Sequence, residues 1–334
     1  MISENGMEVD LISYGAAVRR IFVPDRNGFI KNVVMGFQDW KDYEKNPLYA
    51  GATLCPNAGR ISGALLPLGE DMIKLSANDG QNSLHGGFQN AAHCCWAVDS
   101  LETKTDYCSA AFRVSLADGL DGFPGNRSIR IRYTLRNPMT LEIDMEADSD
   151  RPTYFNLSNH SYFNLSGDFT RSALDQSLEI YGEYFIANDG QHLPAQVRTC
   201  AGSAFDFSSA VTIKEQMAAF PHEPQLANAA GYNNAFLLEH DEPGELKKAA
   251  LLMDAASGRR LSLYTDAPSV VLYSGGYIGS GFRLYPGLTS ASSCALALEA
   301  QDIPDTPSFC PDRTHIVGPG DVYHRQIVYA FSID

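Results

Sequence analysis

The chain has 334 residues, with 25 Lys and Arg against 40 Asp and Glu, a formal net charge of −15. That field works against nucleic acid and against an anionic membrane surface, whereas a neutral ligand is indifferent to it. Hydrophobic residues make up 44% and charged residues 19%, which supplies a sizeable core and excludes a disordered chain.

The opening MISENGMEVDLISYGA has no basic segment followed by an apolar one, so no signal peptide is expected. No apolar run reaches the ~18 residues of a spanning helix. From there period-2 alternation dominates. Strands are expected at 7–15, 18–24 and 110–118. SIRIRYTLR (128–136) puts Ile129, Ile131, Tyr133 and Leu135 on one side, with Arg130, Arg132, Thr134 and Arg136 on the other. TLEIDMEAD (140–148) repeats the pattern, and Asn137-Pro138 between them reads as the turn of an antiparallel hairpin. Further strands are expected at 177–186, 259–266, 269–276, 294–301 and 323–333. One short helix is expected within 208–220. No linker, charge run or internal repeat divides the chain. The expectation is a single domain over 1–334, all-β, built as one large antiparallel β-sandwich with few short helices.

Seven cysteines, Cys55, Cys94, Cys95, Cys108, Cys200, Cys294 and Cys310, form no C-x-x-C pair. An odd, scattered set suits free thiols in a reducing cytoplasm. SGGYIGSGF (274–282) is not G-x-G-x-x-G and reads as a sharp turn or sheet edge. There is no nucleophile elbow, phosphate loop or H-E-x-x-H. His222-Glu223 and His240-Asp241-Glu242 read as solvated loops, and no metal site is expected.

Four segments carry polar residues that neither alternation nor turn chemistry requires. They are CPNAGRISG (55–63) with Arg60, QNSLHGGF (81–88) with His85, NLSNHSYFNLSG (156–167) with His160, and CALALEAQDIPDTP (294–307) with Glu299. Arg60 alone fits a surface ion pair, and His85 a turn histidine. Glu299 is harder to dismiss. A carboxylate at the end of an apolar strand must be solvated, paired or hydrogen-bonded, and such circumstances tune a general base.

With AGRI (58–61), NSLHGG (82–87), NHSYFNL (159–165), LEAQDIPD (298–305) and PGDVYHRQIVYAFS (319–332), the sequence resembles the aldose 1-epimerases, or galactose mutarotases, through nearly its whole length. The resemblance implies a galactose mutarotase-like supersandwich. It also implies interconversion of the α and β anomers of a free aldose by ring opening and closure, without metal or organic cofactor. By the same resemblance Glu299 is the general base, His160 the general acid and His85 a second active-site histidine. Arg60 anchors sugar hydroxyls. Asn159, Ser161 and Asn164 are expected to fix the loop and orient the imidazole of His160. The only partner expected is the monosaccharide, for a monomer or homodimer. Three substrate-binding positions depart from the family: Gly59 where many relatives have Asn, Asn233 where most have Asp, and Val271 where many have Gln. They leave the preferred sugar open. Two other readings compete, a non-enzymatic sugar-binding or regulatory protein on the same fold and a glycoside hydrolase, which needs two carboxylates.

Overall fold

A computed structural model of the protein describes residues 1–240, 242 and 244–334. Asp241 of the His240-Asp241-Glu242 loop lies outside the described residues. Two large sheets dominate. The nine-stranded sheet runs, edge to edge, through Val211–Thr212, Ser177–Ile180, Lys247–Met253, Arg259–Thr265, Tyr323–Ile333, Thr140–Ser149, Arg127–Arg136, Tyr107–Leu116 and Ala97–Thr103. The six-stranded sheet runs through Tyr162–Phe163, Leu296–Gln301, Ser269–Tyr273, Asn233–Leu237, Tyr184–Asn188 and Pro194–Thr199. Neighbouring strands pair antiparallel throughout.

The hairpin expected around Asn137-Pro138 is present, with Arg136 opposite Thr140 and Ile131 opposite Met145. Ile129, Ile131, Tyr133 and Leu135 are buried, as are Leu141, Ile143 and Met145. Of the alternate side chains, Thr134 is buried while the arginines reach the surface, where Arg130 pairs with Asp99 and Arg136 with Glu142. From the other sheet Val270, Leu272, Leu296, Leu298 and Ala300 join the same core cluster, so the main core lies between the two sheets. A fully buried Arg259 ties strand ends and loops together, donating to Val23 O at 3.0 Å, Leu165 O at 3.0 Å and Phe29 O at 2.9 Å.

Two local expectations need correction, the strand over 177–186 and the solvated loop at His240. The strand expected over 177–186 is two strands in different sheets, Ser177–Ile180 and Tyr184–Asn188. The chain crosses at Gly182, where a Cβ would lie 2.6 Å from Leu237 O, so only glycine permits the approach. The short helix expected within 208–220 is present at Ile213–Ala219. Its N-cap is Thr212, whose hydroxyl accepts from Glu215 N, because that residue already leaves the preceding strand with extended backbone. A strand at Lys247–Met253 and a helix at Pro224–Ala229, with proline in its first turn, had no clear signature. His240 is half-buried, its ring nitrogens 3.0 Å from Glu245 O and 2.8 Å from Ala267 O, so it braces a loop rather than facing solvent.

Candidate active site

The six-stranded sheet gives one face to the core and the other to a cavity of about 280 Å³. Strand parity decides which side chains enter it. Along Leu296–Gln301, Leu296, Leu298 and Ala300 point to the core, while Glu299 and Gln301 line the cavity. On the adjacent strands Val271 stands opposite Glu299, and Ala235 opposite Val271. Asn233 and Tyr273, opposite each other, line the cavity one step along. Glu299 is therefore inside a central strand rather than at its end, which corrects the position read from sequence. Every residue of that strand is buried. The carboxylate cannot swing out to water, and its Oε2 has no hydrogen-bond partner among the described residues.

His160 meets it from a short irregular segment. His160 N donates to Ala52 O at 2.9 Å, and His160 O accepts from Gly51 N at 2.9 Å. Asn159 Nδ2 donates to Gly51 O at 3.0 Å, and Ser161 Oγ to Asn159 Oδ1 at 2.6 Å. Asn164 Nδ2 donates to Cys294 O at 2.8 Å. These polar residues hold backbone. None of them bonds the imidazole, so the orienting role expected for them is not direct. The ring is set instead by stacking on Tyr162, with centroids 4.6 Å apart at 29°. That packing leaves His160 Nε2 3.6 Å from Glu299 Oε1, beyond a normal hydrogen bond, and His160 Nδ1 without a partner among the described residues.

His85 is fastened to Gly59 twice. His85 N donates to Gly59 O at 3.0 Å, and Gly59 N donates to His85 Nδ1 at 3.1 Å. The second bond makes Nδ1 an acceptor, so the neutral ring carries its proton on Nε2. Gly86 and Gly87, which follow His85, serve packing. Both have positive φ, and a Cβ would lie 2.7 Å from Pro56 Cδ at Gly86 and 2.4 Å from Asp121 Cγ at Gly87. The His85 and His160 rings meet edge-on at 5.5 Å, and Tyr49 covers His85 at 4.7 Å. Arg60 lines the cavity with Nε donating to Asp79 Oδ2 at 2.7 Å. Arg60 is thus both an ion-pair partner and a cavity-lining residue, with Asp79 holding the guanidinium in place.

Burial pushes the Glu299 carboxyl above its ordinary range, and the positive fields of His160 and Arg60 oppose this only in part. Burial also holds His85 well below the usual histidine value, with His160, Arg60 and His93 pushing the same way. His85 is therefore a neutral donor at physiological pH. His85, His160 and Glu299 each bring one potential metal-ligand atom within 4.8 Å of the others. The hydrogen bonding suits protons better than a cation. Ligation through His85 Nδ1 would displace the Gly59 N–H, and ligation through Nε2 would move the ring proton to Nδ1, facing that same N–H.

The three departing positions all line the cavity. Gly59 has φ +76, Val271 packs with Ala235 and Ile303 in a small apolar cluster, and Asn233 O accepts from Asn188 Nδ2 at 2.8 Å. Sequence reasoning missed His192, Gln301 and an aromatic wall that includes Tyr49, Tyr162, Tyr273 and Tyr277. Gln301 was legible, being two residues from Glu299 on an alternating strand. His192 and Tyr277, whose rings meet at 5.9 Å, come from loops distant in sequence and left no signal.

Residues 1–330 match the family model described as aldose 1-epimerase. The galactose mutarotase of Mus musculus is 31% identical over 331 residues, spanning 98% of this chain and 92% of that protein. The aldose 1-epimerase of Escherichia coli K12 is 29% identical over 333 residues, spanning 98% and 92%. Among solved structures, an aldose epimerase homologue from C. elegans superposes with a TM-score of 0.87 at 26% identity, covering 100% of this chain and 98% of that one. A galactose 1-epimerase from Lactobacillus acidophilus superposes with 0.85 at 27% identity, covering 99% and 92%.

Proposed function

This chain belongs to the aldose 1-epimerase family, and on that premise we propose that it interconverts the α and β anomers of a free aldose, with Glu299 as base and His160 as acid. The observation that carries the reading is the 3.6 Å between Glu299 Oε1 and His160 Nε2. The anomeric hydroxyl and the ring oxygen share one carbon, so the group that takes a proton from the first and the group that gives one to the second must converge.

Glu299 removes the proton from the C1 hydroxyl, the C1–ring-oxygen bond breaks, and the ring oxygen takes a proton from His160. The open aldehyde rotates about C1–C2. Reclosure on the other face returns the proton from Glu299 to the carbonyl oxygen, while the ring-forming hydroxyl gives its proton to His160. Both groups end as they began. Burial makes the Glu299 carboxylate a stronger base than one in water. His85, neutral and with its tautomer set by Gly59, donates a hydrogen bond to oxygen without entering the proton count. Arg60 and Asn233 bind sugar hydroxyls, while Gly59 and Val271 line the same substrate wall without a hydrogen-bonding side chain.

Among the described residues Glu299 is the only carboxylate lining the cavity, which disfavours a two-carboxylate glycoside hydrolase. The convergence of Glu299 and His160 disfavours a sugar-binding protein without activity. We read the chain as one galactose mutarotase-like domain over 1–334, a monomer or homodimer working in the cytoplasm. Its unpaired cysteines support that compartment, and no described helix is long and apolar enough to cross a membrane. Polarimetry on freshly dissolved α-glucose, α-galactose, arabinose, xylose and fucose tests the activity and ranks the sugars. Binding with no faster approach to equilibrium rotation for any of them overturns it.

A further inference from the structure

Gln301 is 1% exposed, and its Oε1 has no hydrogen-bond partner among the described residues. Everything around it is tied down. Ser269 Oγ donates to Gln301 O at 2.9 Å, and Asp302 N donates to Asn156 Oδ1 at 2.8 Å. The strand end is therefore fixed, while the side chain lines the cavity with its buried Oε1 unpaired among the described residues. A buried acceptor without a donor is unfavourable and rare in folded proteins. We infer that Gln301 is a further substrate-contacting, specificity-determining residue, whose carboxamide accepts a hydrogen bond from a sugar hydroxyl remote from the anomeric carbon.

The inference rests on the proposed epimerase reading for its orientation. Glu299 and His160 take the anomeric hydroxyl and the ring oxygen. Residues i and i+2 of a strand share a face and stand roughly 6.8 Å apart, comparable with the span of a pyranose ring and its hydroxyls. Gln301 then faces the hydroxyl on C3 or C4. Gly59 lines the cavity next to Gln301. A Cβ there would lie 3.1 Å from Gln301 Oε1, so a side chain at 59 would press on the carboxamide and shift it by a few tenths of an ångström. Because Gly59 also holds His85 through both its N–H and its carbonyl, Gln301 sits beside the residue that positions His85. Selectivity for a hydroxyl at this point follows from chemistry. A site with a buried acceptor rejects an analogue lacking the donor more strongly than an apolar site rejects an extra group.

The test compares wild type with Gln301→Met, of similar length and no polarity at that position, on glucose and its 2-, 3- and 4-deoxy analogues by polarimetry. The expected result is a KM for glucose raised about 5- to 30-fold with kcat within about twofold. The 3-deoxy or the 4-deoxy sugar should show nearly the same KM in both proteins. Gly59→Asn, whose side chain tolerates left-handed backbone, should raise KM in wild type and add little in the Gln301→Met background. If Gln301→Met does not fold, Gln301→Asn, which withdraws the carboxamide by one methylene, must show the same sugar-dependent penalty. An unchanged glucose KM, or an equal penalty across all four sugars, overturns the inference while leaving the epimerase reading intact. If wild type accelerates no mutarotation, the epimerase reading fails instead. The Gln301 comparison is then read as Kd by calorimetry, with the same two outcomes deciding it.

Discussion

Replacing Glu299 by glutamine should remove activity and raise stability together. The carboxylate is 4% exposed, lies 3.6 Å from His160 Nε2, and has one oxygen without any partner among the described residues. A charge held this way is poorly compensated. Relieving it should contribute about 1–3 kcal/mol, the range for an unsatisfied buried group. At roughly 2.1 cal/mol/K per residue the entropy of unfolding for 334 residues is about 0.7 kcal/mol/K, so Tm should rise by roughly 1.5–4 °C. The gain must depend on pH. Because Glu299 has a raised pKa when folded, its contribution to stability is present below the ordinary carboxylate value of 4.5 and is lost as pH rises through the raised one. Glutamine does not titrate, so its advantage is small at pH 4 and larger at pH 8. Activity, read by polarimetry, should fall at least ~10²-fold. The wild-type rate should have an acid limb above pH 4.5, because the base must be ionised. More than a tenth of the activity surviving, or an equal change in Tm at pH 4 and pH 8, would refute the reasoning.

His160→Asn should lower kcat by ~10²-fold or more. A change confined to KM would make His160 a binding residue and move the acid elsewhere. His85 has a depressed pKa in the folded state, so its contribution is full above the ordinary value of 6.5 and is lost as pH falls from there through the lowered one. His85→Asn, which keeps an acceptor for Gly59 N–H and tolerates positive φ, should therefore lose less Tm than wild type between pH 7 and pH 5 by scanning calorimetry. Asn233→Asp adds a charged acceptor to the cavity wall and should lower KM for galactose or glucose by the equivalent of about 1 kcal/mol with little change in kcat. An unchanged KM across the sugar panel would show that the departure at Asn233 is neutral.

Much of the sandwich was legible because alternation is a local consequence of strand geometry. Arg127–Arg136, Thr140–Ser149 and Tyr323–Ile333 bury one face and solvate the other, which leaves a period-2 trace in the sequence. The trace fails where both faces are covered. Leu296–Gln301 is buried on every residue, so its apolar run did not say which side Glu299 and Gln301 together face. It also fails where one extended stretch serves two sheets, as on either side of Gly182, since a crossing set by Leu237 O depends on a strand more than fifty residues away.

The same division runs through the site. Arg60, His85, His160 and Glu299 stood out because polar groups in those settings are unfavourable without a purpose, and their motifs matched a family. Their chemistry was decided in three dimensions. Gly59 sets the tautomer of His85, Tyr162 sets the plane of His160, and a central strand keeps Glu299 from water. What the residues could do was written in their types. Which proton each one holds depends on burial and on hydrogen bonds between segments distant in sequence, and these exist only once the two sheets have packed.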